Sequence, residues 1–165
     1  NDVNPQKVLI YDFELSDRQF RKRYSSDNGD VYDFSENFTL SDIDFKELAK
    51  SSSGGKIDKL MFKQIRADIE AVKPSVVVID NLTFLSTQTA QETSAALDLM
   101  RELDALKNEY NLSILVLAHT PKVKNGSPLT LNELGGSKML SNFSDSVSCI
   151  GKSSEGKDIR YLKLL

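Results

Sequence analysis

The chain has 165 residues and a net charge of -3, a size that suits one ordinary domain with a buried core. Its 39% hydrophobic and 27% charged residues are typical of a globular protein, and no apolar run approaches the roughly 20 residues that span a bilayer. The acidic balance argues against a surface coated with nucleic-acid-binding charge, although a local basic patch is still permitted. The single cysteine, Cys149, excludes an internal disulfide and a cysteine-based zinc site, which favours a reducing compartment such as the cytoplasm.

Short apolar runs in the first half of the chain alternate with polar, helix-forming stretches. Compact apolar runs are typical of buried parallel strands, and polar stretches of mixed charge suit the connecting helices and turns. In chain order we predict a strand at KVLIYD (7–12), a helix ending before the turn at Asn28, a short strand at VYDF (31–34) and an extended segment leading into a short helix (38–50).

The second half continues the alternation. Apolar residues recur at spacings of three and four from Lys56 to Val72 and from Thr93 to Tyr110, which predicts two helices that each bury one face. VVVID (76–80) and SILVLAH (113–119) predict buried strands. A long polar loop (120–134), a short helix and a hairpin of SVSCIGK and IRYLKLL follow. We therefore expect one α/β domain over residues 1–165, with a mainly parallel sheet and a C-terminal β-hairpin.

Three residues with useful chemistry follow predicted parallel strands: Glu14, Asp80 and His119. Ligands of open α/β sheets collect at the carboxyl ends of the strands, because the loops converge there. The common location of these three residues is the main indication of a functional site.

Asp80 ends an apolar strand in the manner of a Walker B aspartate, which holds magnesium in P-loop ATPases. The alternative is an aspartate that only caps the following loop. Many P-loop ATPases place the catalytic glutamate directly after this aspartate, but here the next residue is Asn81. The general base would therefore come from another strand end.

Glu14 is the candidate for that base, since a carboxylate on a neighbouring strand could orient and deprotonate a water molecule. The alternative is a solvent-facing or helix-capping glutamate. His119 could sense a γ-phosphate through a hydrogen bond, or it could be a structural hydrogen-bonding residue at a strand end.

Neither glycine cluster of the chain matches a phosphate-binding loop. Such a loop reads GxxxxGK followed by Ser or Thr, between a strand and a helix, and uses the hydroxyl group on magnesium. Lys56 of SSSGGK is followed by Ile57, and Lys138 of GGSK is followed by Met139. We interpret SSSGGK as a flexible linker.

Three stretches together are more specific than any single motif: KVLIYDFELSDRQFRKRY, PSVVVIDNLTFLS, and the long stretch from ILVLAHTPK through GGSK to FSDSVSCIGKS. They resemble the RecA-like, AAA-type ATPases of the RepA type, which plasmids and mobile elements encode as replicative helicases or mobilisation-associated proteins. The resemblance covers nearly the whole chain and implies a three-layer RecA-like P-loop NTPase core.

The resemblance also implies roles for particular residues, with ATP and Mg²⁺ as cofactors. Glu14 would be the catalytic base, Asp80 the magnesium aspartate and His119 the γ-phosphate sensor, while Asn81 belongs to the same nucleotide-binding stretch. Family members complete the site with a basic residue from the next subunit; GGSK contains no arginine, which leaves Lys138 as the substitute.

Lys122 and Lys124 of the loop after His119 would meet the phosphates of single-stranded DNA in a central channel, unless this is an ordinary solvated loop. The full-length protein would form a homo-oligomeric ring, a hexamer, with no membrane contact. In this family the phosphate loop lies upstream of DFELSD, so we expect a segment truncated at both ends that is inactive by itself. The alternative is a non-hydrolysing RecA-like binding or regulatory module without a phosphate loop.

Overall fold

The computed structural model describes residues 4–41, 43, 57–82, 93–119, 129–131 and 138–165. The predicted short helix within 44–50, the SSSGGK segment and most of the loop after His119 lie outside these residues. Nothing is therefore stated about their structure.

Two sheets and four helices make up the described part of the chain. The elements are β1 (Val8–Asp12), α1 (Asp17–Arg23), β2 (Phe38–Leu40), α2 (Ile57–Val72), β3 (Val76–Asp80), α3 (Thr93–Tyr110), β4 (Ser113–Val116), α4 (Lys138–Asn142), β5 (Ser148–Lys152) and β6 (Arg160–Leu164). The first four strands form a parallel sheet in the order β2-β1-β3-β4, and β5 and β6 form an antiparallel hairpin. The predicted α/β fold with a mainly parallel sheet and a C-terminal hairpin is confirmed.

One face of the parallel sheet forms the core together with α2 and α3. Alternate residues of β1 and β3 point into this core, because successive side chains of a strand face opposite sides. The buried members of the cluster include Leu9, Tyr11, Val77, Ile79, Met61, Ile65, Ile69, Leu103 and Leu106. The spacing of three and four that predicted the two helices therefore marks the faces that they bury on the sheet. None of the described helices is both long and apolar enough to cross a bilayer.

Helices α2 and α3 both end in a residue with left-handed backbone conformation. Lys73 and Asn111 each have φ of 53° and lead within a few residues into β3 and β4. Asparagine is one of the residues that adopts this conformation with little strain. The predicted stop of the second helix at Asn111 is confirmed, and both strands start at the same edge of the sheet.

The predicted strand at 31–34 is wrong. Val31 makes only an isolated bridge with Ser25, and the strand that pairs with β1 is β2, within the segment predicted to be extended. Phe34 instead stacks on Phe38, with ring centroids 4.3 Å apart, and also packs near Phe20 of α1. Apolar and aromatic residues favour strands because they fit a half-buried pleated surface, and here the same residues serve side-chain packing.

The prediction that β4 is a buried strand is also wrong. In the described part of the chain β4 pairs with β3 alone, and Leu115 and Leu117 are 56% and 39% exposed. The hairpin likewise exposes Ile150 and Leu162. The order of the strands places β4 at an edge, and an apolar sequence cannot distinguish an edge from the centre of a sheet.

The hairpin contacts Leu129, a residue within the segment predicted as a polar loop after His119. The hydroxyl group of Tyr161 accepts a hydrogen bond from the Leu129 N–H at 3.3 Å, and Lys163 Nζ donates to the Leu129 carbonyl oxygen at 3.1 Å. Gly151 lies opposite Tyr161, and a Cβ at residue 151 would clash with the Tyr161 ring. Glycine at this position therefore leaves room for the ring that fixes Leu129.

Candidate active site

The carboxyl ends of β1, β3 and β4 lie side by side and are joined by backbone hydrogen bonds beyond the strands. The Phe13 N–H donates to the Asp80 carbonyl oxygen at 2.6 Å, and the Leu82 N–H donates to the Leu117 carbonyl oxygen at 2.9 Å. Residues at the carboxyl ends of the three strands are thereby brought close together, as the sequence predicted for Glu14, Asp80 and His119.

The carboxylate of Glu14 is held by residues from the two neighbouring strand ends. Oxygen Oε1 lies 2.6 Å from Nε2 of His119 and 2.5 Å from Nδ2 of Asn81. An ionised carboxylate only accepts hydrogen bonds, so Nε2 of His119 carries a hydrogen and donates the hydrogen bond to Glu14. A single oxygen of Glu14 thus receives two hydrogen bonds, one from each side.

These contacts set the charge of Glu14. The hydrogen bond from His119 is the largest cause that lowers the pKa of the Glu14 carboxyl. Desolvation, the next largest, opposes it, and the Asn81 amide adds a smaller lowering effect. The side chain is 37% exposed, and no described residue donates a hydrogen bond to its second oxygen, Oε2. Glu14 is therefore ionised, fixed in orientation, and able to meet a water molecule through Oε2.

Asp80 shows the opposite electrostatic behaviour. Partial burial raises the pKa of its carboxyl, and the negative charges of Asp12 and Glu14 raise it further. His119 and, to a smaller extent, Arg23 in the last turn of α1 oppose this rise. The pKa of Asp80 is nevertheless raised, so burial and the two neighbouring carboxylates together outweigh these positive groups.

Magnesium fits the chemistry of this group of residues. Mg²⁺ prefers oxygen ligands and is usually bound through one or two carboxylates together with substrate phosphates, and it would neutralise the negative charge around Asp80. Within the residues that the structure describes, no group of three or more His, Cys, Asp or Glu side chains could hold a metal ion alone. Asp80 is a carboxylate that could supply one oxygen ligand to Mg²⁺.

Glu14 does not cap the first helix, which was one of its two alternative roles; the other, a solvent-facing side chain, agrees with its exposure. The helix α1 has Ser16 as its N-cap, and the side chain of Gln19 accepts the Ser16 N–H at 2.9 Å. Asn81 is 2% exposed, and its side chain contacts Glu14. The sequence placed Asn81 at the site but did not indicate this contact.

Asp12 is a residue of the site that the sequence analysis missed. It pairs with Asp80 across β1 and β3, and its Oδ1 accepts hydrogen bonds from the backbone N–H groups of Glu14 and Leu15. The signal was present in the sequence, since an aspartate that ends a strand commonly bonds the backbone two residues later.

The basic residues predicted to act in this site are only partly described. Lys138 begins α4, but its side chain lies outside the described residues, as do Lys122 and Lys124 in full. Their predicted contacts with nucleotide and DNA stay predictions.

Replacing His119 with Ala is expected to raise the pKa of Glu14 toward that of an ordinary glutamate, because the largest cause of the depression is lost. The carboxyl of Glu14 would then become ionised at a higher pH. The measurement is an NMR titration of the side-chain carboxyl carbon of Glu14.

The matched control is His119→Gln, whose amide retains an N–H donor and should give a smaller rise. An unchanged titration midpoint in His119→Ala would show that the contact between His119 and Glu14 does not form in solution.

Comparison with known proteins relates the chain to a protein family and to solved structures of similar fold. The family model described as AAA domain matches residues 1–125. The structure is similar to that of a KaiC-like protein from the hyperthermophilic archaeon Pyrococcus horikoshii OT3, with a TM-score of 0.64 and 12% sequence identity. The match covers 96% of this chain and 64% of that protein, so the chain spans less than two thirds of its length. No curated protein matches the chain. Because the family model covers well over half of the 165 residues, the chain belongs to the AAA domain family, and its fold is that of a RecA-like ATPase.

Proposed function

We propose that this chain is the catalytic core of a magnesium-dependent ATPase of the RepA type, which couples ATP hydrolysis to DNA replication or mobilisation. One observation carries the proposal: the carboxylate of Glu14 is fixed between Asn81 and His119 at the same sheet edge as Asp80. A fixed carboxylate beside a magnesium aspartate is what hydrolysis of a phosphoanhydride needs, because catalysis of phosphoryl transfer is mostly positioning and charge stabilisation.

Each residue has one step in the proposed reaction. Glu14 accepts a proton from a water molecule at Oε2, and the water oxygen bonds to the γ-phosphorus as the bond to the β,γ-bridging oxygen breaks. Asp80 would hold Mg²⁺, which would supply positive charge to the phosphate oxygens. His119 donates a hydrogen bond to Glu14 in the described structure, and a γ-phosphate would compete for that donor. Occupancy of the site would thereby change the position of the histidine that precedes the polar loop.

We further propose that the phosphate-binding loop lies on a β-strand and helix of the same protein outside residues 1–165. The outer edge of β4 supports this, since an exposed apolar edge strand is a template for another strand and proteins normally cover it. Parallel strands are also normally covered on both faces, whereas Val76 and Val78 on the face opposite the core are only half-buried. A strand paired with β4 would bring its own carboxyl end to the edge that carries Asp80 and His119.

The proposed partners are copies of the same protein and single-stranded DNA. A ring of six subunits, as expected for the RepA type, would place Lys138 at the nucleotide of a neighbouring subunit. Lys122 and Lys124 would contact DNA phosphates. Action on DNA and the single cysteine favour the cytoplasm as the compartment.

The test is ATP hydrolysis by the complete protein, measured as phosphate release with and without Mg²⁺. Hydrolysis is expected to require Mg²⁺ and to fall about 100-fold in Asp80→Asn, because a charge that stabilises the transition state is lost. Single-stranded DNA is expected to stimulate turnover, and the stimulation is expected to fall in Lys122→Ala and Lys124→Ala.

Asp98→Asn is the matched control, because this carboxylate is exposed on α3 and, among the described residues, forms an ion pair with Arg101 at 3.8 Å. Binding of ATP without hydrolysis in the unsubstituted protein would favour the alternative, a non-hydrolysing regulatory module. An unchanged rate in Asp80→Asn would overturn the role of Asp80.

A further inference from the structure

The backbone that leads from β1 to the base is fixed at three successive residues. The Phe13 N–H donates to the Asp80 carbonyl oxygen at 2.6 Å. The N–H groups of Glu14 and Leu15 both donate to Oδ1 of Asp12, at 3.0 and 2.9 Å. Every amide between the end of β1 and Ser16, the N-cap of α1, is thus held by a hydrogen bond.

Asp12 supplies two of these three bonds with a single oxygen. An aspartate that bonds the amides two and three residues later closes a tight turn, which sets the direction of the chain. The turn lies at Glu14, so the direction of its Cα–Cβ bond depends on this hydrogen-bonded loop. The side chain of Glu14 then reaches Asn81, beyond β3, and His119, beyond β4.

We propose that Asp12 is a positioning residue for the catalytic base, acting through the turn that aims Glu14 at Asn81 and His119. This inference rests on the proposed function, since it assigns Asp12 to the same reaction. Asp12 itself need not contact nucleotide. Its acceptor oxygen, more than its charge, is what the turn requires.

The two properties of Asp12 can be separated by substitution. Asparagine keeps an oxygen at Oδ1 that accepts both amide hydrogens, but it removes the negative charge beside Asp80. Alanine removes the acceptor as well. A positioning role predicts that Asp12→Asn is mild and Asp12→Ala is severe, whereas a role based on charge predicts that both are severe.

The experiment uses the complete protein and measures kcat and KM for ATP hydrolysis. Asp12→Ala is expected to lower kcat about 10- to 100-fold, because a displacement of a catalytic group by 1 Å can cost a factor of this size. The KM for ATP is expected to change less than threefold, and Asp12→Asn is expected to restore kcat to within about threefold of the unsubstituted protein.

A second comparison asks whether Asp12 acts through Glu14. In a Glu14→Gln background, where the base is already lost, Asp12→Ala is expected to have no further effect on the residual rate, since the two changes remove the same contribution. Ser35→Ala is the matched control. The Ser35 hydroxyl accepts a hydrogen bond from the Asn37 N–H at 3.3 Å in a similar turn, which lies before β2, at the amino ends of the parallel strands.

The outcomes separate this inference from the function on which it rests. If Glu14→Gln abolishes turnover but Asp12→Ala keeps the rate of the unsubstituted protein, the positioning role is wrong and the proposed function stands. If Glu14→Gln retains turnover, Glu14 is not the base, and Asp12 then has no catalytic base to position. Equal losses in Asp12→Asn and Asp12→Ala would overturn the inference in favour of charge. Should Asp12→Ala not fold, Asp12→Ser replaces it, with a kcat expected below that of Asp12→Asn, because a hydroxyl group makes this turn more weakly than an Asp or Asn side chain.

Discussion

Replacing Glu14 with Gln is expected to lower the kcat for ATP hydrolysis by about 100- to 10,000-fold, the range that a general base contributes. Glutamine has the size of glutamate and retains an oxygen that can accept hydrogen bonds from Asn81 and His119. It cannot take a proton from water, so the chemical step fails while the geometry persists. The affinity for ATP is expected to change little, because Glu14 acts on the attacking water.

The measurement pairs steady-state phosphate release in the complete protein with calorimetry of nucleotide binding. Glu155→Gln is the matched control, because this glutamate is exposed in the turn between β5 and β6. Normal turnover in Glu14→Gln would remove Glu14 from the role of base. Loss of nucleotide binding together with turnover would indicate a structural defect in place of a chemical one.

The sequence predicted the layers of the fold because the periodicity of apolar residues reports burial. The unbroken run VVVID became β3 in the interior of the sheet, and the spacing of three and four became the buried faces of α2 and α3. The sequence was less informative where apolar side chains pack together in a segment that does not form a strand. At 31–34 the aromatic ring of Phe34 stacks on Phe38, and no hydrogen-bonded ladder forms.

The members of the site were predictable, but most of their contacts were not. Parallel strands bring their carboxyl ends together whatever the side chains, so Glu14, Asp80 and His119 had to lie near one another. Which atoms meet depends on turns after the strands, and these depend on side-chain bonds to the backbone. The turn at Asp12 is of this kind, and the contact of the Asn81 side chain with Glu14 depends on where that turn places Glu14.

The exposed edge of β4 has a consequence for nucleotide binding. Glu14 and His119 hold each other in the described structure, and Asp80 would reach a nucleotide only through Mg²⁺. None of these groups cradles phosphates with backbone N–H donors and a lysine, as a phosphate loop does. Affinity for ATP would then depend on the proposed strand and helix beside β4, where Leu115 and Leu117 are exposed.

The 165-residue chain alone is therefore expected to bind ATP and Mg²⁺ about 1,000-fold more weakly than the complete protein, for example with a Kd near 1 mM against one near 1 μM. Calorimetry of both proteins at the same Mg²⁺ concentration measures the difference. The chain alone is also expected to hydrolyse ATP no faster than the buffer.

The control is the complete protein with the lysine of its proposed GKS or GKT loop replaced by Ala, which should bind ATP as weakly as the chain alone. A micromolar Kd for the 165-residue chain would contradict the proposed division of the site, because the phosphates would then be held by residues within it. If the sequence preceding Asn1 lacks a glycine-rich loop between a strand and a helix, the non-hydrolysing module becomes the better explanation, since Asp80 and Glu14 would then have no bound phosphate on which to act.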